Sequence, residues 1–593
     1  MYSQISDQAI NLPEVVHAPR TDPIYNCHAY QTKVPVGAIL PFIDEFTEPG
    51  DLVADPFAGS GMTGIAAAMR GRRAELSDIS VLGRHIANGY LAQVDSKRFR
   101  EAAAEAISVA RAAIGDLYES RRENDGAIVE MIRTVWSFTY ICPDCHAPLI
   151  FFTHIQERRQ AESCSKCGHP FSKRAWVRGE DVPVLVVVDG VNGRQTEQLP
   201  SDVDLSSIRR ALVDQRLCEF PSLPIQPDRE MYNRSALAKH GLTETAKFFS
   251  PRNAIALLEL WRAIGLTKDS KMQTKLRFVF TAILPRASRR YQWGPLRPLN
   301  AQNQTYYISP VYFEWNVFDL FNRKVEAAIR SDEQVFGGMP LFFQQVANSV
   351  VYTNTSADEL GHLKTNSVDY IFTDPPFGSN IFYSDMSLFQ EAWLGQTTDH
   401  SKEAVIHTIG SRRNAAAERY ESLLRGAFRE AFRVLKPGAY ISVVFGNSRG
   451  SIWTLVQRAM RDSGFASVPV HAAILDKGQR SVKGLNSGSE GVVTVDLILT
   501  YQKPDDHSHS TSALSGDQYQ TNELIASALN KLTDSQARNP SYVYVATVRE
   551  AIQRHQTLDH LHLADVLVAL RNAGYSVNPK TGLLDRPASA LSL

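Results

Sequence analysis

The sequence predicts an α/β protein, with an open sheet flanked by helices, a long segment inserted within it and a small helical module after it. Three observations lead there. Asp51-Leu52-Val53-Ala54-Asp55 reads as a short buried strand, Gly59-Ser60-Gly61 as a sharp turn, and Thr63 to Arg70 as an Ala-rich helix. Far downstream, the apolar run Val368 to Phe372 is strand-like and stops at Asp374-Pro375-Pro376-Phe377, where two prolines cannot continue a ladder. Between these motifs lie two Cys-x-x-Cys pairs.

Bulk properties set the bounds. A chain of 593 residues exceeds one ordinary core, so two to four domains are expected. Lys plus Arg equals Asp plus Glu at 63 each, so any polyanion-binding surface must be a local patch rather than a global field. No apolar run is long enough to span a membrane and Met1 to Ile10 lacks a signal-peptide core, so a cytoplasmic location is expected, without membrane partners.

In the first motif, the order strand, glycine turn, helix lets a ligand approach the backbone at a strand's carboxyl end. Ala74 to Ile79 follows as a second strand that carries Asp78, an acceptor suited to the two hydroxyls of a ribose. No Gly-Lys-Ser/Thr is present, which disfavours a phosphate-cradling loop. On these residues alone, any nucleotide-binding α/β protein remains open.

The second motif stiffens a loop, removes two backbone donors and keeps the carbonyls. The Asp374 carboxylate and the Pro375 carbonyl then present acceptors to an amine, and the Phe377 ring can stack on a planar group. A proline-rich turn with a capping aspartate is the plainer alternative. Downstream, Tyr420 to Val434 reads as a helix, Tyr440 to Phe445 as a strand, Ser451 to Ser463 as a helix and Val492 to Tyr501 as a strand. Val350 to Asp358 reads as the strand before Val368 to Phe372, which puts the long insertion after the second strand and its helix.

The stretches Tyr30 to Asp78, with Lys33-Val34-Pro35, and Asp374 to Asp385, continuing to Trp393-Leu394, resemble the amino-group (N6-adenine/N4-cytosine) DNA methyltransferases, in particular bacterial adenine-specific methylases. The resemblance covers roughly residues 25–95 and 345–503. It implies a Rossmann-like class I S-adenosylmethionine-dependent sheet. S-adenosylmethionine would be held by Lys33, Asp55, Pro56, Phe57, Ala58, Gly59, Gly61, Thr63 and Asp78, with Asp374, Pro375, Pro376 and Phe377 as the catalytic loop. That loop would orient an exocyclic amine of an extruded base toward the sulfonium methyl. The family's habit of Asp-Pro-Pro-Tyr/Phe favours adenine N6 over cytosine N4, although Phe377 stands where tyrosine is commoner. No Pro-Cys dipeptide supplies a nucleophile for cytosine C5 methylation. The alternatives are an RNA amino-methyltransferase, a glutamine side-chain methyltransferase and a non-catalytic DNA-binding subunit. The resemblance also implies DNA as partner, a bacterial restriction-modification or phage-defence setting with partner subunits, and association with the nucleoid when bound to DNA.

Cys142, Cys145, Cys164 and Cys167, with eighteen residues between the pairs, match a four-thiolate zinc ribbon. Four thiolates close the tetrahedron, so the expected Zn2+ is structural and His146, His154 and His169 are bystanders. Asp269 to Asn300 is basic, and Arg286, Arg289, Arg290, Tyr291, Trp293 and Arg297 combine cations with rings as a nucleic-acid groove requires. The expected organisation is residues 1–95 for the cofactor part of the sheet, 96–345 for the insertion (ribbon about 136–180), 346–503 for the catalytic part, 504–518 for a linker, and 519–593 for a small helical or winged-helix-like module. Gln93 to Glu123 is expected as one long helix leading into the insertion.

Overall fold

The computed structural model describes residues 10–19, 21–155, 162–294, 306–337, 349–378, 381–407, 415–466, 468–478, 493–505, 521–556, 558–578 and 581–585. The chain opens with β1 (Val15–His17), β2 (Leu52–Asp55) and β3 (Arg73–Ser77). The helix Met62–Met69 between β2 and β3 starts at Gly61, whose φ of 80° is left-handed and is reached without strain only by glycine.

After the helices Val81–Leu91 and Ser96–Ile114 come β4 (Glu119–Arg121), β5 (Ile128–Ile141), β6 (Pro148–Ile150), β7 (Val177–Asp189), β8 (Gln195–Gln198) and, after several helices, β9 (Val311–Trp315). β5 is the hub of this antiparallel sheet, pairing with β4, β6, β7 and β9. The expected single helix over Gln93 to Glu123 is therefore shorter. It ends at Gly115, and Glu119–Arg121 turns back as a strand against Ile128–Glu130.

The chain returns as β10 (Val350–Thr353), β11 (Val368–Thr373), β12 (Leu435–Phe445), β13 (His471–Asp476) and β14 (Asp496–Gln502). These join the first three strands in one sheet of order β1-β13-β14-β12-β11-β2-β3-β10. β12, β11, β2, β3 and β10 run parallel, and β14 is antiparallel to β12 and β13. From β2 the chain proceeds outward through β3 to β10, then crosses back so that β11 lies on the other side of β2. The carboxyl ends of β2 and β11 therefore flank a topological switch point, where open α/β sheets bind ligands.

β11 is buried along nearly its whole length, as expected for a parallel strand covered on both faces. The amphipathic helix Ala416–Val434 buries Tyr420, Leu424, Phe428 and Ala431 against one face. The helices Pro540–Gln553 and Leu563–Asn572 add to the same core, and β15 (Ser576–Val577) pairs with β16 (Leu584–Asp585) as a short hairpin. Asn539 accepts from the Ser541 amide and Pro540 takes the first helical position, which fixes the start of the first of these helices. Most of the expected linker, 506–518, lies outside the described residues. No helix among the described residues is long and apolar enough to cross a membrane.

Candidate functional site

The loop after β2 is held by carboxylates at its two ends. Asp55 accepts from the Phe57 amide (3.0 Å), from Thr63 Oγ1 (2.6 Å) and from Thr373 Oγ1 (2.8 Å), so it ties its own loop and helix to β11 next door. Burial pushes its carboxyl up to about 7 against the lowering effect of those donors. Asp78 accepts from the Gly59 amide (2.8 Å) and the Ser80 amide (2.9 Å); burial raises it as well. Tyr352 on β10 donates to the Gly59 carbonyl at 2.8 Å. The glycine turn is thus fixed from three strands.

These residues line a cleft with about 980 Å³ of empty space, its open mouth included. Asp55 to Ser60, Thr63 and Asp78 line it, as do Asp374 and Pro376 from the end of β11, whereas the expected Gly61 and Pro375 are not among the lining residues. The remaining lining includes Tyr30, Thr32, Ser80, Tyr383 and Glu403. A Cβ on Gly59 would sit 3.1 Å from the Tyr30 ring, so this loop and that ring are in close approach. Glu403 accepts from the Tyr383 and Ser384 amides and from the Ser384 hydroxyl, capping the helix Tyr383–Leu394 from outside. Burial pushes Glu403 up to about 7. Tyr383 Oη lies 2.6 Å from Thr32 Oγ1 and closes the cleft across its two halves.

Asp374 is half-buried at the end of β11. Burial pushes its carboxyl up to about 7, the Lys477 ammonium opposes this, and Asp496 and Asp55 add to it. Lys477 itself is buried and paired with Asp496 at 2.8 Å. The loop beyond is pinned by donors to its carbonyls. Tyr420 Oη donates to the Pro376 carbonyl (2.5 Å) and Asn447 Nδ2 to the Phe377 carbonyl (2.8 Å). Among the described residues the Pro375 carbonyl receives no hydrogen bond.

Two further expected residues behave differently. The Phe377 ring packs against Phe445 at 5.0 Å and 62° and is not part of the cleft wall, because Asn447 draws its carbonyl toward the end of β12. The aromatic residues that line the cleft are Tyr30, Phe57, Phe372 and Tyr383, of which Tyr30 and Tyr383 lie 6.0 Å apart. Lys33 lines the cleft, but its ammonium donates to the Tyr25 (2.5 Å) and His28 (2.8 Å) carbonyls at the end of the helix Pro23–Cys27. Burial brings it down to about 7. Tyr383 and Glu403 escaped sequence reading because neither stands in a motif; Tyr383 does fall within the stretch that carries the resemblance.

The four cysteine sulfurs lie within 4.8 Å of one another, with Cys142–Cys167 and Cys145–Cys164 both at 3.6 Å. A tetrahedron with Zn–S bonds of ~2.3 Å has sulfur–sulfur edges of ~3.8 Å, so this donor set fits zinc. The two knuckles repeat one backbone pattern. The His146 amide donates to the Cys142 carbonyl and the Gly168 amide to the Cys164 carbonyl, with φ of 57° and 78° at those two residues. Four thiolates leave no position for substrate.

The expected nucleic-acid residues do not form one exposed groove. Arg286 is exposed near the end of the helix Ser270–Ala287. Arg289 pairs with Asp181 at 3.2 Å and donates to the Lys247 carbonyl. Arg290 is buried over the Phe389 ring, Tyr291 is buried beside Phe313 and Trp315, and Trp293 is half-buried against Phe152. Arg297 lies outside the described residues. The basic stretch begins as a core helix, Ser270–Ala287, whose apolar positions the interspersed cations disguise.

Comparison with known proteins adds three similarities. Residues 8–119 match the N6/N4 methyltransferase family, described as DNA methylase. Over 44 residues the chain is 50% identical to the candidate methylase YubD of Escherichia coli (strain K12), a match covering 7% of this chain and 19% of that protein. A candidate DNA modification methylase of Thermus thermophilus matches at 17% identity over 30% of this chain and 59% of its own, with a TM-score of 0.15, too low to carry an argument about the fold. The chain thus spans about a fifth of the curated relative it matches.

Proposed function

From an N-terminal segment that matches the amino-group DNA methylases, we propose that the protein transfers a methyl group from S-adenosylmethionine to an exocyclic amine of a DNA base, adenine N6 being favoured over cytosine N4. The observation that carries this reading is the cleft at the switch point. Adjacent parallel strands β2 and β11 deliver Asp55 to Ser60 from the glycine turn and Asp374 and Pro376 from the second loop to one shared cleft. In this reading the sheet is a Rossmann-like class I methyltransferase sheet. The turn and Asp78 hold the cofactor, whose sulfonium supplies an activated methyl. Asp374 and the uncommitted Pro375 carbonyl accept the amine's hydrogens and aim its lone pair; Tyr30 and Tyr383 take the stacking role expected of Phe377. Asp55 acts by fixing the loop, since its carboxylate is already occupied by three donors. The four-cysteine ribbon holds zinc as a structural element.

The test is incubation with labelled S-adenosylmethionine and separate pools of duplex DNA, single-stranded DNA and RNA, with modified nucleosides identified by mass spectrometry. N6-methyladenine in DNA is the expected product, lost in Asp374→Ala while cofactor affinity is retained. N4-methylcytosine would correct the base, and label confined to RNA would overturn the DNA assignment.

A further inference from the structure

Behind the Tyr30–Tyr383 pair lies a second, smaller pocket with about 460 Å³ of empty space. It shares both rings with the cofactor cleft, so the two cavities are neighbours across one aromatic wall. Its far side is built by Arg290, Ser387 and Gln390, with Leu82, Pro285 and Met386 as apolar walls. Arg290 is 5% exposed. Its guanidinium rests on the Phe389 ring (4.1 Å to the centroid) and near the Tyr306 ring (5.8 Å). Among the described residues, Nε and Nη1 of Arg290 have no hydrogen-bond partner, and neither has Oε1 of the buried Gln390.

A desolvated guanidinium with idle donors is costly, and while several arginines leave Nε idle, Arg290 is the one arginine among the described residues that leaves two buried nitrogens so. Arg252, also buried, pairs with Glu314 and donates to Thr134, and Arg229 pairs with Asp385 although its Nε is idle, whereas Arg290 has no carboxylate partner among the described residues. Burial lowers the Arg290 guanidinium only to about 10, so it keeps its charge at neutral pH. The planar fork of arginine matches the two oxygens of a carboxylate or phosphate. Gln390 adds an amide whose orientation can be reversed to donate.

We propose that this pocket is an oxyanion subsite, in which Arg290, assisted by Gln390, holds a negatively charged oxygen group of whatever occupies the adjoining cleft. The inference rests on the methyltransferase reading for its two sources: the carboxylate of the cofactor's methionine end, or a backbone phosphate beside the extruded nucleotide. Arg290 is a binding residue here and takes no part in the transfer itself.

The experiment compares wild type, Arg290→Met and Arg290→Lys in the full-length protein. Three probes are used: calorimetric titration with S-adenosylmethionine and with 5′-methylthioadenosine, which lacks the carboxylate; anisotropy of a duplex oligonucleotide across a salt series; and thermal unfolding in inorganic phosphate against chloride at matched ionic strength. If the carboxylate is the ligand, Arg290→Met loses tenfold or more for S-adenosylmethionine and nothing for methylthioadenosine. If phosphate is the ligand, oligonucleotide affinity falls and the log–log salt slope shrinks by about one. In both cases Arg290→Lys recovers part of the loss, the phosphate-specific stabilisation is smaller in Arg290→Met than in wild type, and ligand-free Arg290→Met unfolds no earlier than wild type.

The inference is overturned if all three probes match wild type within twofold, or if methylthioadenosine binding falls as much as cofactor binding, which would mean general distortion. Should the wild type bind no S-adenosylmethionine, the methyltransferase reading fails, while the phosphate difference between wild type and Arg290→Met still decides the subsite.

Discussion

Gly83→Ala isolates the role of the glycine turn, because it perturbs the turn from a residue that touches no ligand. Gly83 lies in the first turn of the helix Val81–Leu91, where its amide donates to Ser80 Oγ at 2.9 Å. A Cβ there would stand 2.2 Å from the Gly59 carbonyl oxygen and 2.6 Å from Tyr352 Oη. Ordinary carbon–oxygen contacts are ~3.3–3.6 Å, so the overlap is about 1 Å and backbone must move. Overpacking of this kind costs roughly 1–3 kcal/mol. Losing the Tyr352–Gly59 hydrogen bond adds about 1 kcal/mol. The helix preference for alanine returns about 1 kcal/mol.

The net expectation is a loss of about 1–3 kcal/mol in stability, with the displacement concentrated on the loop that faces the cleft. Cofactor affinity, measured by calorimetry, should fall tenfold or more. Gly37→Ala is the control. It is an exposed helical glycine whose Cβ would meet nothing within 4 Å, so it should stabilise by about 0.5–1 kcal/mol and leave affinity unchanged. If Gly83→Ala binds cofactor as tightly as wild type, the turn does not hold the ligand and the assignment of this wall fails.

Other outcomes follow from the same geometry. Asp374 and Asp55, with carboxyls pushed up to about 7, bind protons in the folded state that the unfolded chain has released. Their contribution to stability is therefore full at acid pH and is lost as pH rises through about 7. Methyl transfer should move the opposite way, rising through that range as Asp374 becomes an acceptor; a flat pH–rate profile would contradict this, and Asp374→Asn should remove part of the stability slope. Tyr420→Phe deletes the donor to the Pro376 carbonyl, so it should cost about 1 kcal/mol in unfolding experiments and lower kcat without changing cofactor affinity. Wild type should contain one zinc per chain by atomic absorption, and Cys142→Ser should lose it and expose the ribbon to protease; a stable, zinc-free, fully active protein would refute a structural zinc.

Much of the site's chemistry was legible because it is local. A strand ending in Asp55, glycines at 59 and 61 with positive φ, and two prolines after Asp374 impose their backbone within a few residues, and short-range sterics fix such features before any tertiary contact forms. The cysteine spacing is equally local, since each knuckle closes over four residues and only the meeting of the two pairs needs the fold. What the residues do with their side chains was decided elsewhere. Phe377 turns to Phe445 because Asn447, seventy positions on, binds its carbonyl, and Lys33 turns to a helix end built by residues before it.

The basic stretch shows the limit most plainly. Its charges promise a surface in one dimension, yet helix packing sends Arg289 to Asp181 and Arg290 under Phe389. Composition and motif thus determined which chemical groups the protein carries and where the backbone turns. The tertiary structure alone decided which of those groups face a common space, because the partners that orient them come from strands and helices tens to hundreds of residues away.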